Sequence, residues 1–127
     1  MSLRSPLGRV LGLGSAKDGT SHWWAQRMTA VALIFLSTWF LISILLLDNL
    51  QFDVVSAWVG KPLNSILLVL TTATLAYHSR LGVQVVIEDY VHGPAIKVFS
   101  LVMNNFTHIL LAVAGVFAVL KIGFGAS

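Results

Sequence analysis

The run "MTAVALIFLSTWFLISILLL", Met28 to Leu47, carries no charged residue. About 20 mostly apolar residues in a helix are enough to cross the hydrocarbon core of a bilayer. In that solvent the backbone must satisfy its own hydrogen bonds, so only helices and closed barrels span it. Two further apolar stretches follow in the same chain. The second begins at Pro62, "PLNSILLVLTTATLAYHSRLGVQVVI", where proline suits the first helical turn because its missing N–H costs nothing there. The third, roughly Ile96 to Ile122, comes after Gly93 and Pro94, a strong break between helices. The pattern predicts an all-α integral membrane protein: a bundle of three transmembrane helices at about 28–47, 62–88 and 96–122.

Composition agrees and removes several kinds of chemistry. Apolar residues make up 57% of the 127 and charged residues only 10%, where a soluble domain carries about a quarter charged. With no cysteine, this chain alone builds no disulfide, thiolate-bound zinc or iron–sulfur cluster. The net charge of +3 sits mostly ahead of the first apolar run, a pattern of membrane orientation and not of nucleic-acid binding.

Residues 1–27 read as a water-exposed N-terminal arm and 28–127 as the anchor domain. Glycines and polar residues interrupt "SPLGRVLGLGSAKDGTS", so a cleaved secretory signal is not expected. Arg4, Arg9, Lys17 and Arg27 lie on the arm, whereas the 48–61 connection holds Lys61 against Asp48 and Asp53. The Lys/Arg bias therefore predicts a cytoplasmic N-terminus and a periplasmic C-terminus. Trp23 and Trp24 fit an aromatic belt on the cytoplasmic side and Trp58 one on the other.

The second span contains His78 and Arg80 and ends at Glu88, Asp89 and Tyr90. Ionisable groups in a bilayer are costly and ask for a function. His78 lies ten residues inside the end at 88, roughly 15 Å at 1.5 Å per residue, near the middle of the membrane. Its imidazole either hydrogen-bonds a neighbouring helix or ligates haem iron through one nitrogen. Asp89 follows by eleven residues and returns to within roughly 20° of the same face. Tyr90 comes next, where the helix meets the interface. Such an end suits a lipid-soluble quinone, with the phenol donating to a carbonyl oxygen and the carboxylate orienting it or relaying protons. An interfacial anchor and a solvated helix end are the plainer readings of Tyr90 and Asp89. Arg27, before the first span, serves as an orientation anchor or pairs with a carboxylate such as a haem propionate. Arg80 snorkels or meets an acidic group on another subunit. His108, at a depth similar to His78, either packs or joins His78 on one haem; His22 and His92 fall in aqueous or interfacial segments and take no role.

"His78-x10-Asp89-Tyr90", with "Arg27-x-Thr29-Ala30" at the first span, resembles the hydrophobic membrane anchor subunit of succinate dehydrogenase, the smaller anchor of respiratory complex II. "GLGSAKDGTSHWWAQRMTAVAL" and "HSRLGVQVVIEDYVHG" are similar to bacterial members related to the mitochondrial enzyme. The resemblance implies that His78 is one axial ligand of haem b, with the other on a larger, cytochrome b-type anchor subunit. It implies that Tyr90 hydrogen-bonds ubiquinone with support from Asp89, and that Arg27 lies near the haem propionates. A flavoprotein subunit carrying FAD and an iron–sulfur subunit would complete the enzyme in the bacterial inner membrane. This chain has neither a GxGxxG for FAD nor cysteines for clusters. It would therefore contribute to a succinate:quinone oxidoreductase without being an enzyme alone. The rivals are a fumarate reductase anchor using menaquinone, a haem-free structural or transporter subunit, and a self-contained cytochrome using His78 and His108.

Overall fold

Four helices and no strand make up the described residues, 17–125, of the computed structural model: α1 Lys17–Leu45, α2 Phe52–Val59, α3 Pro62–Tyr90 and α4 Pro94–Gly123. The arm before Lys17, with Arg4 and Arg9, lies outside the described residues. α1, α3 and α4 are long and apolar enough to cross a membrane. α3 and α4 match the predicted spans to within a turn at each end, because prolines fix their starts. Pro62 follows Lys61 and Pro94 follows Gly93, each preceding residue being extended, as the residue before proline prefers.

α1 differs from expectation. It begins at Lys17 and not at Met28, so that residues 17–27 are its first turns. Once an apolar segment has nucleated a helix, each further residue adds one hydrogen bond for one residue fixed, and no proline stops the propagation here. Trp23 and Trp24 pack edge to face at 5.2 Å. Arg27 lies over the Trp23 ring at 5.4 Å, a cation–π contact that supports the same turns.

The second difference is α2, which occupies the predicted 48–61 connection. Asn49 Oδ1 accepts from the Gln51 N–H at 3.0 Å, a local turn that leads into the helix. Asp53 stands in its first turn, where a negative charge meets the positive end of the helix dipole. The other end is tied to α3: Asn64 Nδ2 donates to Trp58 O at 2.8 Å and Ser65 Oγ to Val59 O at 2.6 Å. Trp58 does not form the expected outer belt. It is buried, stacked on Trp39 at 5.8 Å and edge-on to Phe40 at 6.2 Å. With Val59 and Leu68 it forms the core of this end of the bundle.

α3 is the central helix: α1 and α4 each pack on it and not on one another. Lipid is as apolar as leucine, so helices in a bilayer associate through close packing and polar contacts and not through hydrophobic burial. Large apolar side chains accordingly face outward, Phe35 at 72% and Phe106 at 66% exposure. Between α3 and α4 the approach is close at glycine. A Cβ on Gly115 would lie 2.5 Å from Thr72 Cγ2. That methyl has little freedom to swing aside, because Thr72 Oγ1 donates to Leu68 O at 2.8 Å and holds the rotamer. Gly115→Ala should therefore destabilise the solubilised protein by about 1–3 kcal/mol, the usual cost of overpacking. Adding Thr72→Ser, which removes the methyl, should restore most of it. A double-mutant cycle on thermal melts in detergent checks this.

Candidate functional site

His78 stands past the midpoint of α3 and turns toward α1, where its Nδ1 lies 2.9 Å from Thr29 Oγ1. The same face of α1 lays Gln26 against Gly82 of α3. Thr29 Oγ1 also lies 2.7 Å from Ala25 O and 3.1 Å from Gln26 O, in its own preceding turn. The other ring nitrogen of His78, Nε2, has no hydrogen-bond partner among the described residues, and the side chain is only half-buried.

His108 on α4 is engaged at both nitrogens. Nδ1 lies 2.8 Å from Asn104 O and Nε2 3.0 Å from Ser79 Oγ. The two histidines turn to different neighbours, His78 toward α1 and His108 toward α3, and the structure does not bring them together on one site. Around His108 runs a polar link between α3 and α4. Buried Asn104 donates through Nδ2 to Arg80 O at 3.0 Å. Arg80 Nη1 donates to Asn105 Oδ1 at 2.9 Å, and its guanidinium lies 5.2 Å from the Tyr77 ring centroid. Within the chain, Arg80 is thus a helix–helix contact.

Arg27 was expected ahead of the first span. It lies instead ten residues inside α1, two residues and so about 3 Å along the axis from Thr29. That puts it near the level of His78, though its guanidinium rests on Trp23 and not on the imidazole. His22, expected in an aqueous segment, is likewise within α1, half-buried, with Nε2 buried and unpaired. His92 is exposed in the three-residue link between α3 and α4.

α3 continues to Tyr90, so Asp89 does share the angular face of His78 within roughly 20°. Along the axis the two are eleven residues apart, or about 17 Å. Tyr90 is 78% exposed, and neither its hydroxyl nor the Asp89 carboxylate has a partner among the described residues. Glu88 is held by Gln84 Nε2 at 2.8 Å, and its backbone carbonyl accepts from Lys97 Nζ at 2.9 Å, fastening the α3–α4 link. An apolar groove of about 640 Å³ between α1 and α4, floored by α3, has Leu33, Phe40, Leu75 and Leu111 on its walls. Asp89 and Tyr90 are not among its lining residues.

Thr29 is the residue that sequence reasoning passed over. It appeared only as one position of the Arg27-x-Thr29 pattern, and nothing in the order of residues says which way it faces. The donor set around His78 fits an iron-bound imidazole: one nitrogen is held by a neighbour and the other is open among the described residues.

The chain matches the family described as succinate dehydrogenase/fumarate reductase transmembrane subunit over residues 1–120. Among curated relatives, the succinate dehydrogenase hydrophobic membrane anchor subunit of Rickettsia bellii is 34% identical, covering 91% of this chain and 93% of the relative. That of Paracoccus denitrificans is 32% identical over 96% of this chain and 94% of the relative. The succinate dehydrogenase membrane anchor subunit of Reclinomonas americana is 33% identical over 73% and 80%. No solved structure matches the chain. With three membrane-length helices and similarity along nearly its whole length, the chain belongs to the succinate dehydrogenase/fumarate reductase transmembrane subunit family, as a hydrophobic membrane anchor subunit.

Proposed function

We propose that this anchor subunit supplies His78 as one axial ligand of a haem b shared with a larger cytochrome b-type anchor subunit. We further propose that Tyr90 and Asp89 contribute to a site where ubiquinone is reduced with electrons from succinate. The observation that carries the haem assignment is the asymmetry between His78 and His108, the two histidines near the middle of their helices, His22 standing only five residues inside the start of α1. His108 uses both nitrogens inside the bundle, whereas His78 uses one and leaves Nε2 open. A half-satisfied imidazole within a membrane-spanning helix calls for a partner from outside the chain.

When bound, haem b supplies a one-electron relay between an iron–sulfur subunit and quinone. Arg27, near the level of His78, would meet a propionate by a charge-assisted hydrogen bond, leaving Trp23. At the other end of α3 the Tyr90 hydroxyl would donate to a quinone carbonyl oxygen. Reduction to quinol takes up two protons, and Asp89, exposed beside Tyr90, would orient the phenol or pass protons in from water. Since Tyr90 stands open on this chain, the walls of the quinone pocket would come from partner subunits. The flavoprotein subunit with FAD and the iron–sulfur subunit would dock at the same end, on the cytoplasmic face of a bacterial inner membrane, as the Lys/Arg bias of the arm directs.

The test is purification of the tagged chain in mild detergent. The expected result is retention of a flavoprotein, an iron–sulfur protein and a second membrane subunit, with succinate oxidation measured by a water-soluble dye. Recovery of the chain without flavin or iron–sulfur protein would overturn the reading.

A further inference from the structure

We infer that Thr29 is the positioning residue of the His78 imidazole: it fixes the tautomer, presents Nε2 outward and sets the donor strength of that nitrogen. The inference rests on the haem-ligand role proposed for His78.

A proton count leads to it. A threonine hydroxyl has one proton and two acceptor lone pairs, and a backbone carbonyl can only accept. Thr29 Oγ1 lies 2.7 Å from Ala25 O, so its proton goes to that carbonyl. Toward His78 Nδ1, 2.9 Å away, the hydroxyl then accepts, and the proton between them belongs to Nδ1. A neutral imidazole has one N–H, which leaves Nε2 with its lone pair uncommitted. His108 has the same tautomer for the same kind of reason, since its Nδ1 meets the carbonyl of Asn104 at 2.8 Å. Its Nε2 lone pair, however, is taken by Ser79 Oγ at 3.0 Å. Of these two, His78 alone is set with an open electron pair.

The link is also mechanically short. In a helix, threonine divides between two χ1 rotamers because Oγ1 can bond the carbonyl three or four residues back, and that bond is made here. The imidazole of α3 is thereby referred to the backbone of α1 through a single hydroxyl. An acceptor on the distal N–H of a metal-bound histidine orients the ring and raises its basicity. A more basic ligand favours ferric over ferrous iron and lowers the potential of the couple.

The experiment is a redox titration of the b-type absorbance in the intact purified complex, with Thr29→Val, Thr29→Ser and His78→Ala beside the unaltered protein. Thr29→Val keeps the branched shape and removes the acceptor. Its haem should titrate at higher potential, with a reduced-to-oxidised ratio about 10-fold greater at fixed ambient potential, the lower end of what such partners are worth. For one electron this is ~59 mV. Thr29→Ser should titrate as the unaltered protein does. Loss of haem from Thr29→Val with normal titration of Thr29→Ser also supports the inference. An unmoved potential in Thr29→Val, or equal haem depletion in the valine and serine variants, would overturn it while leaving His78 a ligand. A retained spectrum in His78→Ala would overturn the ligand assignment itself, and this inference with it.

Discussion

Replacing His78 by alanine should abolish the b-type absorbance of the complex. Of His78 and His108, only His78 keeps a ring nitrogen, Nε2, open in the packing of α1, α3 and α4. Losing an outer partner of a metal-bound histidine already costs up to about 100-fold in metal affinity, and removing the ligating ring should cost more. The effect on the fold should be small, because the ring makes one hydrogen bond, to Thr29. The complex should assemble and oxidise succinate with a soluble dye while its haem spectrum is gone. His108→Ala should do the reverse. It removes contacts to Asn104 O and Ser79 Oγ, loosening α4 on α3 while leaving the haem spectrum in place.

Tyr90→Phe should separate the two halves of the reaction. The ring and its apolar contacts remain and only the hydroxyl donor is lost. A hydrogen bond of this kind contributes about 1 kcal/mol, and the tenfold scale is 1.36 kcal/mol of barrier. Quinone reduction by succinate should thus fall by about 5-fold. Dye-linked succinate oxidation should be unchanged, since in the proposed complex that chemistry would belong to subunits outside the membrane. Equal loss of both activities would remove Tyr90 from the quinone site. Tyr90 is 78% exposed and has no partner among the described residues, so the substitution leaves the bundle itself undisturbed, and the melting temperature of the solubilised complex should confirm it.

How much of this was legible in the residues varies by element. α3 and α4 are legible almost to the residue because Pro62 and Gly93–Pro94 mark their starts. The start of α1 was missed by eleven residues because "KDGTSHWWAQR" looks like an aqueous arm, although the apolar helix behind it carries these turns along. That error displaced Arg27 from inside α1 to its entrance. α2 is not legible because its eight residues, Phe52–Val59, resemble part of a connection between Asn49 and Gly60. The burial of Trp58 depends on Trp39 and Phe40 meeting it from α1.

Within the site, the common face of His78 and Asp89 follows from spacing on one helix and needed only that α3 run on to Tyr90. The Thr29–His78 contact and the two partners of His108 depend on how whole helices are rotated about their axes. In a soluble bundle an apolar stripe would reveal that rotation. Here the lipid-facing side is as apolar as the packed side, so the sequence carries no stripe to read.

The most direct test of the central claim is the difference spectrum, succinate-reduced minus oxidised, of the complex purified through this chain. Bands of a reduced b-type haem are the predicted result and would show that electrons from succinate reach a haem in the complex that contains this subunit. A complex that retains flavin and iron–sulfur clusters but shows no haem bands would leave the chain an anchor and contradict the role given to His78.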